Sequence, residues 1–335
     1  VRAVRFHKPG DLRVEDIPRP GALLPDQVRI RVRAAGICGS DVHNFRTGMW
    51  LAQLPVTPGH EFSGEVVEVG ADVLGFSVGD LVVADSRVPC GRCPHCLAGR
   101  ANLCISLGFV GEVCDGGFAE EVLLPARGLL RVASDIAPEI AALCEPLAVA
   151  LHAIRRLDPI PGEPVLVAGG GPIGGLAALL LSSFGFGPVL LAERNARRSA
   201  LLEEVAGAEP IALDPVVIGA RCGGIGPRFC LEATGSLDVL RVLLRSVSGG
   251  GRIAMVGIFH GEGMLDPNLI VEREIDLRGC SVFGGEQAEA LGLLPALAPK
   301  LARLTEDPIG LADVPAAYDR LIRGETSKLK TLIRP

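Results

Sequence analysis

Two sets of metal-ligating residues stand out, and their spacings imply different chemistry. The first lies in "VPCGRCPHCLAGRANLC", where Cys90, Cys93, Cys96 and Cys104 follow the pattern C-x2-C-x2-C-x7-C. Close CxxC spacing in a chain expected to be cytosolic points to zinc. Four thiolates close a tetrahedron and leave no open position, so this zinc would be structural. Gly91 and Gly99 let the backbone turn tightly around it, while Pro89 and Pro94 stiffen the loop. The second set is dispersed: "GICGSDVH" supplies Cys38, Ser40, Asp41 and His43, "PGHEFSGEV" supplies His60 and Glu61, and "CEPLAVALH" supplies Cys144, Glu145 and His152. A catalytic zinc needs three protein ligands and one open position. Cys38 and His60 suit it, and Glu61 or Glu145 can add an oxygen. Such a zinc would lower the pKa of an alcohol oxygen and favour hydride departure to NAD+. Ser40 and His43 would pass the proton to water, and Asp41 would orient His60.

A cofactor signal lies in the second half. Gly169-Gly170-Gly171-Pro172-Ile173-Gly174 is G-x-G-x-x-G, placed between the strand-like "PVLVA" and an apolar helix. That context makes it a dinucleotide site, with the pyrophosphate on the helix N-terminus. Glu193, nineteen residues after Gly174, ends the next strand and is placed to accept hydrogen bonds from both ribose hydroxyls. This favours NAD over NADP, although Arg194, Arg197 and Arg198 follow closely.

The elements that must position these residues fall into two textures. Residues 1–145 read as short alternating strands broken by turns, "VRAVRFH", "QVRIRVRAAGI", "FSGEVVEVG" and "DLVVAD", which implies a barrel or sandwich. Residues 138–157 read as a connecting helix. From 163 onward strands and helices alternate, implying a parallel doubly wound sheet. After about 285 the pattern becomes helix, loop and a final strand, "KLKTLIRP". The length of 335 residues suits two domains, and 48 % hydrophobic content supplies two cores. A net charge of −6 argues against nucleic-acid binding. No run of about 18 uncharged apolar residues predicts a membrane span. The opening "VRAVRFHKPG" lacks a signal-peptide pattern, so a cytoplasmic location is expected.

Together these motifs resemble the zinc-dependent medium-chain dehydrogenase/reductase family over essentially the whole chain, and within it the sorbitol, butanediol and threonine dehydrogenase branch, marked by Glu61 and "EPLAVALH". The resemblance implies an α/β plus β protein. A GroES-like β-barrel catalytic domain would occupy 1–147 with its zinc lobe at 88–104, a Rossmann domain 148–284, and a C-terminal return to the catalytic domain 285–335. It also implies two zinc ions per chain, a cleft between the domains, and a homodimer or homotetramer. Cys38, His60 and Glu61 match the family's catalytic zinc ligands. Glu145 stands where alcohol dehydrogenases place a cysteine, binding directly or through water, with Cys144 a rival. Ser40 and His43 match the proton relay, and Arg198 a basic residue near the adenosine ribose. Thr234, Val256, Gly257, Ile258, Val282 and Phe283 fall at strand ends facing the cofactor, and Lys330 where relatives contact pyrophosphate.

Two departures accompany the resemblance. "ALDPVVIGARCGGIGPRFC" is short, so one Rossmann helix is expected to be cut to a turn. Val282 and Phe283 are apolar where sorbitol dehydrogenases carry polar residues, and Phe45, Met49, Trp50 and Phe109 suggest an apolar pocket. The expected substrate is therefore a secondary alcohol, short diol or polyol other than sorbitol. The alternatives are oxidation of a hydroxy amino acid, as in L-threonine 3-dehydrogenase, or a non-catalytic NAD-binding relative.

Overall fold

A computed structural model describes residues 1–335 and divides them into two compact units. One unit comprises 1–145, 287–326 and 330–335; the other comprises 146–286 and 327–329.

The first unit is built from short strands: β1 (Arg2–Lys8), β2 (Asp11–Asp16), β3 (Gln27–Gly36), β4 (Glu61–Val69), β5 (Leu81–Ala84), β6 (Arg87–Val88), β7 (Gly108–Phe109), β8 (Glu121–Pro125) and β9 (Leu129–Arg131). Helix α1 (Gly39–Thr47) follows β3, the short α2 (Pro94–Leu97) lies in the cysteine lobe, and α3 (Pro138–Ala141) closes the segment. Strands β3, β4, β5 and β9 pair antiparallel in that order, and β8 also pairs with β3. Alternate residues of β3, Val28, Ile30 and Val32, are buried with Phe6, Phe62, Phe118 and Val122 in one apolar cluster. This alternation is the period-2 pattern visible in the sequence.

The stretch 138–157 is not one helix. It breaks after Ala141, and α4 (Cys144–Leu157) starts afresh with Glu145 in its first turn. Pro146 is tolerated there because the first turn makes no intrahelical N–H bond.

The second unit alternates strands and helices: β10 (Val165–Ala168), α5 (Pro172–Ser183), β11 (Val189–Ala192), α6 (Ala196–Ala206), β12 (Glu209–Pro210), α7 (Pro215–Arg221), β13 (Phe229–Glu232), α8 (Leu237–Ser246), β14 (Arg252–Met255), α9 (Asn268–Val271) and β15 (Asp276–Gly279). All six strands are parallel, in the order β12-β11-β10-β13-β14-β15. The order reverses beside β10, which creates the crevice where such sheets bind ligands. The helix expected to be cut to a turn is present as α7. Asp214 caps it, accepting from the N–H groups of Val216 and Val217, and Pro215 opens it.

Helices α10 (Gln287–Leu304) and α11 (Val314–Arg323) then lead to β16 (Leu332–Ile333), which pairs with Gly36 and Ala35 of β3. The chain therefore returns to complete its first sheet. No helix is long and apolar enough to cross a membrane.

Candidate active site

The site grows from the end of β3. Cys38 caps α1 at its N-terminus, and Asp41 Oδ2 accepts the Cys38 N–H at 2.8 Å. The same carboxylate turns its other oxygen to His60, with Oδ1 3.6 Å from Nδ1. His60 and Glu61 lie where the chain enters β4, the neighbour of β3. One ligand atom each from Cys38, His60 and Glu61 lies within 4.8 Å of the others. Burial opposes a charged His60, but Asp41, Cys38 and Glu145 outweigh it and raise its pKa. This excess of anionic partners is what a cation neutralises. Glu61 Oε1 is buried with no hydrogen bond, and thiolate, imidazole and carboxylate are all zinc donors, so the residues fit the metal.

Asp41 touches His60 and the Cys38 backbone, so it is a positioning residue. Asp41→Asn is expected to lower zinc affinity and kcat/KM about 10–100-fold. Zinc titration alongside steady-state kinetics checks this, and unchanged values would remove Asp41 from the assembly.

Two further candidates from the sequence, Glu145 and Lys330, have partners within the protein. Glu145 is buried but stands outside the trio, its Oε1 accepting from Ser86 Oγ at 2.8 Å. Lys330 does not present a free charge to a pyrophosphate. It is 4 % exposed and its ammonium is ion-paired with Glu61 Oε2. A Cβ on Gly36 would come within 2.6 Å of Glu61 Oε2 and 2.8 Å of Lys330 Cε, so glycine makes room for this pair. The rival Cys144 is buried and its thiol faces the Gln287 carbonyl at 3.5 Å.

Ser40 and His43 lie three apart on α1 and so share a face. The His43 ring lies against Trp50 at a 38° tilt, the centroids 4.5 Å apart, and the Phe109 ring lies 6.3 Å from that of His60. Phe45, expected in the pocket, instead packs into the core against Phe6 and Tyr318. Met49 is largely exposed.

In the cysteine lobe, the Sγ atoms of Cys90, Cys93, Cys96 and Cys104 lie within 4.8 Å of one another. Backbone N–H groups of Cys96 and Ile105 aim at Cys93 and lower its pKa to about 6, while burial and the neighbouring thiols push Cys96 up to about 12; the crowded thiols compete for one another's protons.

In the second unit, the glycine turn joins β10 to α5. Gly171 caps the helix and Pro172 and Ile173 open it. A Cβ on Gly174 would sit 1.9 Å from the Gly169 carbonyl oxygen, so only glycine allows this closure. Glu193 follows β11 and already holds three donors: Gly170 N–H at 2.7 Å, Asn195 N–H at 2.6 Å and Arg198 Nη2 at 2.9 Å. A carboxylate has about four acceptor sites, so one ribose hydroxyl can be added directly and the second must displace a protein donor. Arg198 is thus engaged with Glu193, while Arg194 is exposed.

Thr234, Val256, Gly257 and Ile258 follow the ends of β13 and β14. The sequence analysis missed Glu232, whose Oε1 accepts from the N–H groups of Thr234 and Gly235 and fixes that turn. Phe283 is fully buried, and Val282 is held at φ +46°. For a β-branched residue this conformation costs about 1–3 kcal/mol and persists only where its surroundings impose it.

Residues 24–134 match the family model for the alcohol dehydrogenase GroES-like domain, and 172–298 the model for zinc-binding dehydrogenases. The chain is 30 % identical over 345 residues to L-threonine 3-dehydrogenase of Deinococcus radiodurans, covering 98 % of this chain and 97 % of that one. Among solved structures, 2R,3R-butanediol dehydrogenase from Bacillus subtilis is 32 % identical with a TM-score of 0.91, covering 100 % and 99 % of the two chains. A protein from Sinorhizobium meliloti 1021 with NADP bound gives the same identity, TM-score and coverage. Fold and site together define a dehydrogenase that uses zinc and a nicotinamide cofactor. The chain belongs to the zinc-dependent medium-chain dehydrogenase/reductase family.

Proposed function

We propose that this dehydrogenase oxidises a secondary alcohol, diol or polyol with NAD+ and holds two zinc ions, one at Cys38, His60 and Glu61 and one at the four-cysteine lobe. The buried trio, its donor atoms within 4.8 Å, carries the reading. Zinc bound there supplies Lewis-acid polarisation of a substrate oxygen. Asp41 holds His60, Lys330 balances Glu61, and Ser40 and His43 lead the released proton away. Glu145, anchored by Ser86, is a reserve oxygen beside the trio. The glycine turn and α5 N-terminus receive the pyrophosphate. Thr234, Val256–Ile258 and Val282–Phe283 border the cofactor from the strand ends. Four thiols gathered for a metal need a reducing compartment, which supports the cytoplasm.

Glu193 supports NAD+ over NADP+. A 2′-phosphate beside it meets a carboxylate whose nearest guanidinium, Arg198, is already paired. Wild-type kcat/KM is expected to favour NAD+, and Glu193→Ala to shrink the ratio about tenfold, near 1.4 kcal/mol. Nicotinamide absorbance with both cofactors decides it, and a wild-type preference for NADP+ reverses the assignment.

The threonine dehydrogenase likeness supports a second reading, oxidation of L-threonine. A panel of 2,3-butanediols, pentitols, hexitols, secondary alcohols and L-threonine separates the two by kcat/KM.

A further inference from the structure

Glu112 is a buried carboxyl, 5 % exposed, with no part in the roles above. It follows Gly111, where a Cβ would lie 2.7 Å from Gly59 N and 3.0 Å from the Pro58 carbonyl carbon. The loop therefore rests on the backbone that leads into His60. The Glu112 N–H donates to the Phe109 carbonyl at 3.0 Å, closing the turn that carries Phe109 beside His60. From the other side, Asn44 Nδ2 donates to Glu112 Oε1 at 2.9 Å, and Asn44 Oδ1 accepts the Trp50 N–H at 3.1 Å. Asn44 belongs to α1, the helix of Ser40, Asp41 and His43.

Glu112 thus joins the aromatic residue beside His43 to the one beside His60. Oε1 accepts from Asn44 Nδ2, whereas Oε2, unlike the two oxygens of Glu61, is not sealed in without a partner and keeps access to solvent. An oxygen that water can reach can exchange that water for a substrate hydroxyl without losing a protein partner.

We propose that Glu112 is a specificity-determining residue whose Oε2 accepts a hydrogen bond from a second hydroxyl of the substrate, selecting a diol or polyol over a mono-alcohol. The inference rests on the alcohol reading above and deepens it. An ammonium is the other candidate donor, but an amino acid also brings a carboxylate, and the cation of this cluster, Lys330, is paired with Glu61. Burial raises the Glu112 carboxyl to about 7, with His60 and Asn44 opposing and Asp41 adding to the rise. At a pH well above that value it is an acceptor.

The test compares kcat/KM for 2,3-butanediol and 2-butanol, alcohols that differ by one hydroxyl, in zinc-loaded wild type and Glu112→Gln at such a pH. Glutamine keeps an oxygen for Asn44 and places an amide nitrogen where Oε2 stood. The diol-to-mono-alcohol ratio is expected to fall about tenfold or more, with 2-butanol changed less than about threefold. Parallel loss on both substrates would mean that Glu112 acts only through α1, and an unchanged ratio would mean that it does not read the substrate; either overturns the proposal. A loss confined to L-threonine would assign the site to an ammonium and overturn it as well. Wild type inactive on both alcohols and on L-threonine refutes the alcohol reading itself, before any variant is compared, and the proposal with it. Glu112→Asp, which retracts the carboxylate by one methylene, is read the same way if the glutamine variant does not fold.

Discussion

Cys38→Ser is expected to lower kcat/KM by about 10³-fold or more while the chain stays folded and its zinc content falls from two ions to one. The loss follows from removing one of three donors that hold the trio's metal, whose polarisation of a substrate oxygen is worth several kcal/mol, and each 1.36 kcal/mol is tenfold in rate. The serine hydroxyl does not ionise near neutral pH and replaces the thiolate poorly. Folding should survive because Cys38 is the N-cap of α1, a position at which serine is among the preferred residues. Metal analysis, a thermal melt and kinetics on one preparation check all three statements. Near wild-type turnover with one zinc lost would place the reaction elsewhere.

With zinc removed by a chelator, Lys330→Met is expected to destabilise the first unit by about 3–5 kcal/mol, because neither metal nor ammonium then compensates the buried Glu61. Both side chains are almost completely enclosed. Adding Glu61→Gln should recover most of the loss, since removing both charges also removes the desolvation penalty. Denaturant melts of the two single variants and the double variant give the coupling directly. A pyrophosphate contact for Lys330, as the family resemblance implies, makes the opposite forecast: little change in stability and a raised KM for the nicotinamide cofactor.

Local patterns made part of this molecule legible. The C-x2-C-x2-C-x7-C spacing confines four thiols to one small lobe, and strand, glycine turn and helix can be read within about twenty residues of Gly169 because hydrophobic period and turn chemistry are local. The exact partners were not legible. Lys330 reaches Glu61 through the pairing of β16 with β3, a contact between distant parts of the chain. Phe45 reads as one of the apolar residues of a pocket, yet its ring packs against Tyr318 of α11. Glu112 sits in a glycine-rich loop with no pattern of its own, and only Asn44, 68 positions away, reveals its setting. Helix α7 did have a local signal, Asp214-Pro215, outweighed in the reading by the shortness of the link.

The return of β16 to β3 has a consequence for biosynthesis. The second unit's six strands have all emerged by Gly279, whereas the first unit, though begun earlier, must wait for residues 330–333. At about 5–20 residues per second, that delay after Glu145 is on the order of 10–40 s. Throughout it Glu61 lacks its ammonium, and the end of β3 at Ala35 and Gly36, beyond the stretch paired with β8, lacks its partner strand. The nascent first unit therefore carries both a buried-site anion and an open sheet edge, a hazard for mispairing, and the half of the chain made first is the half finished last.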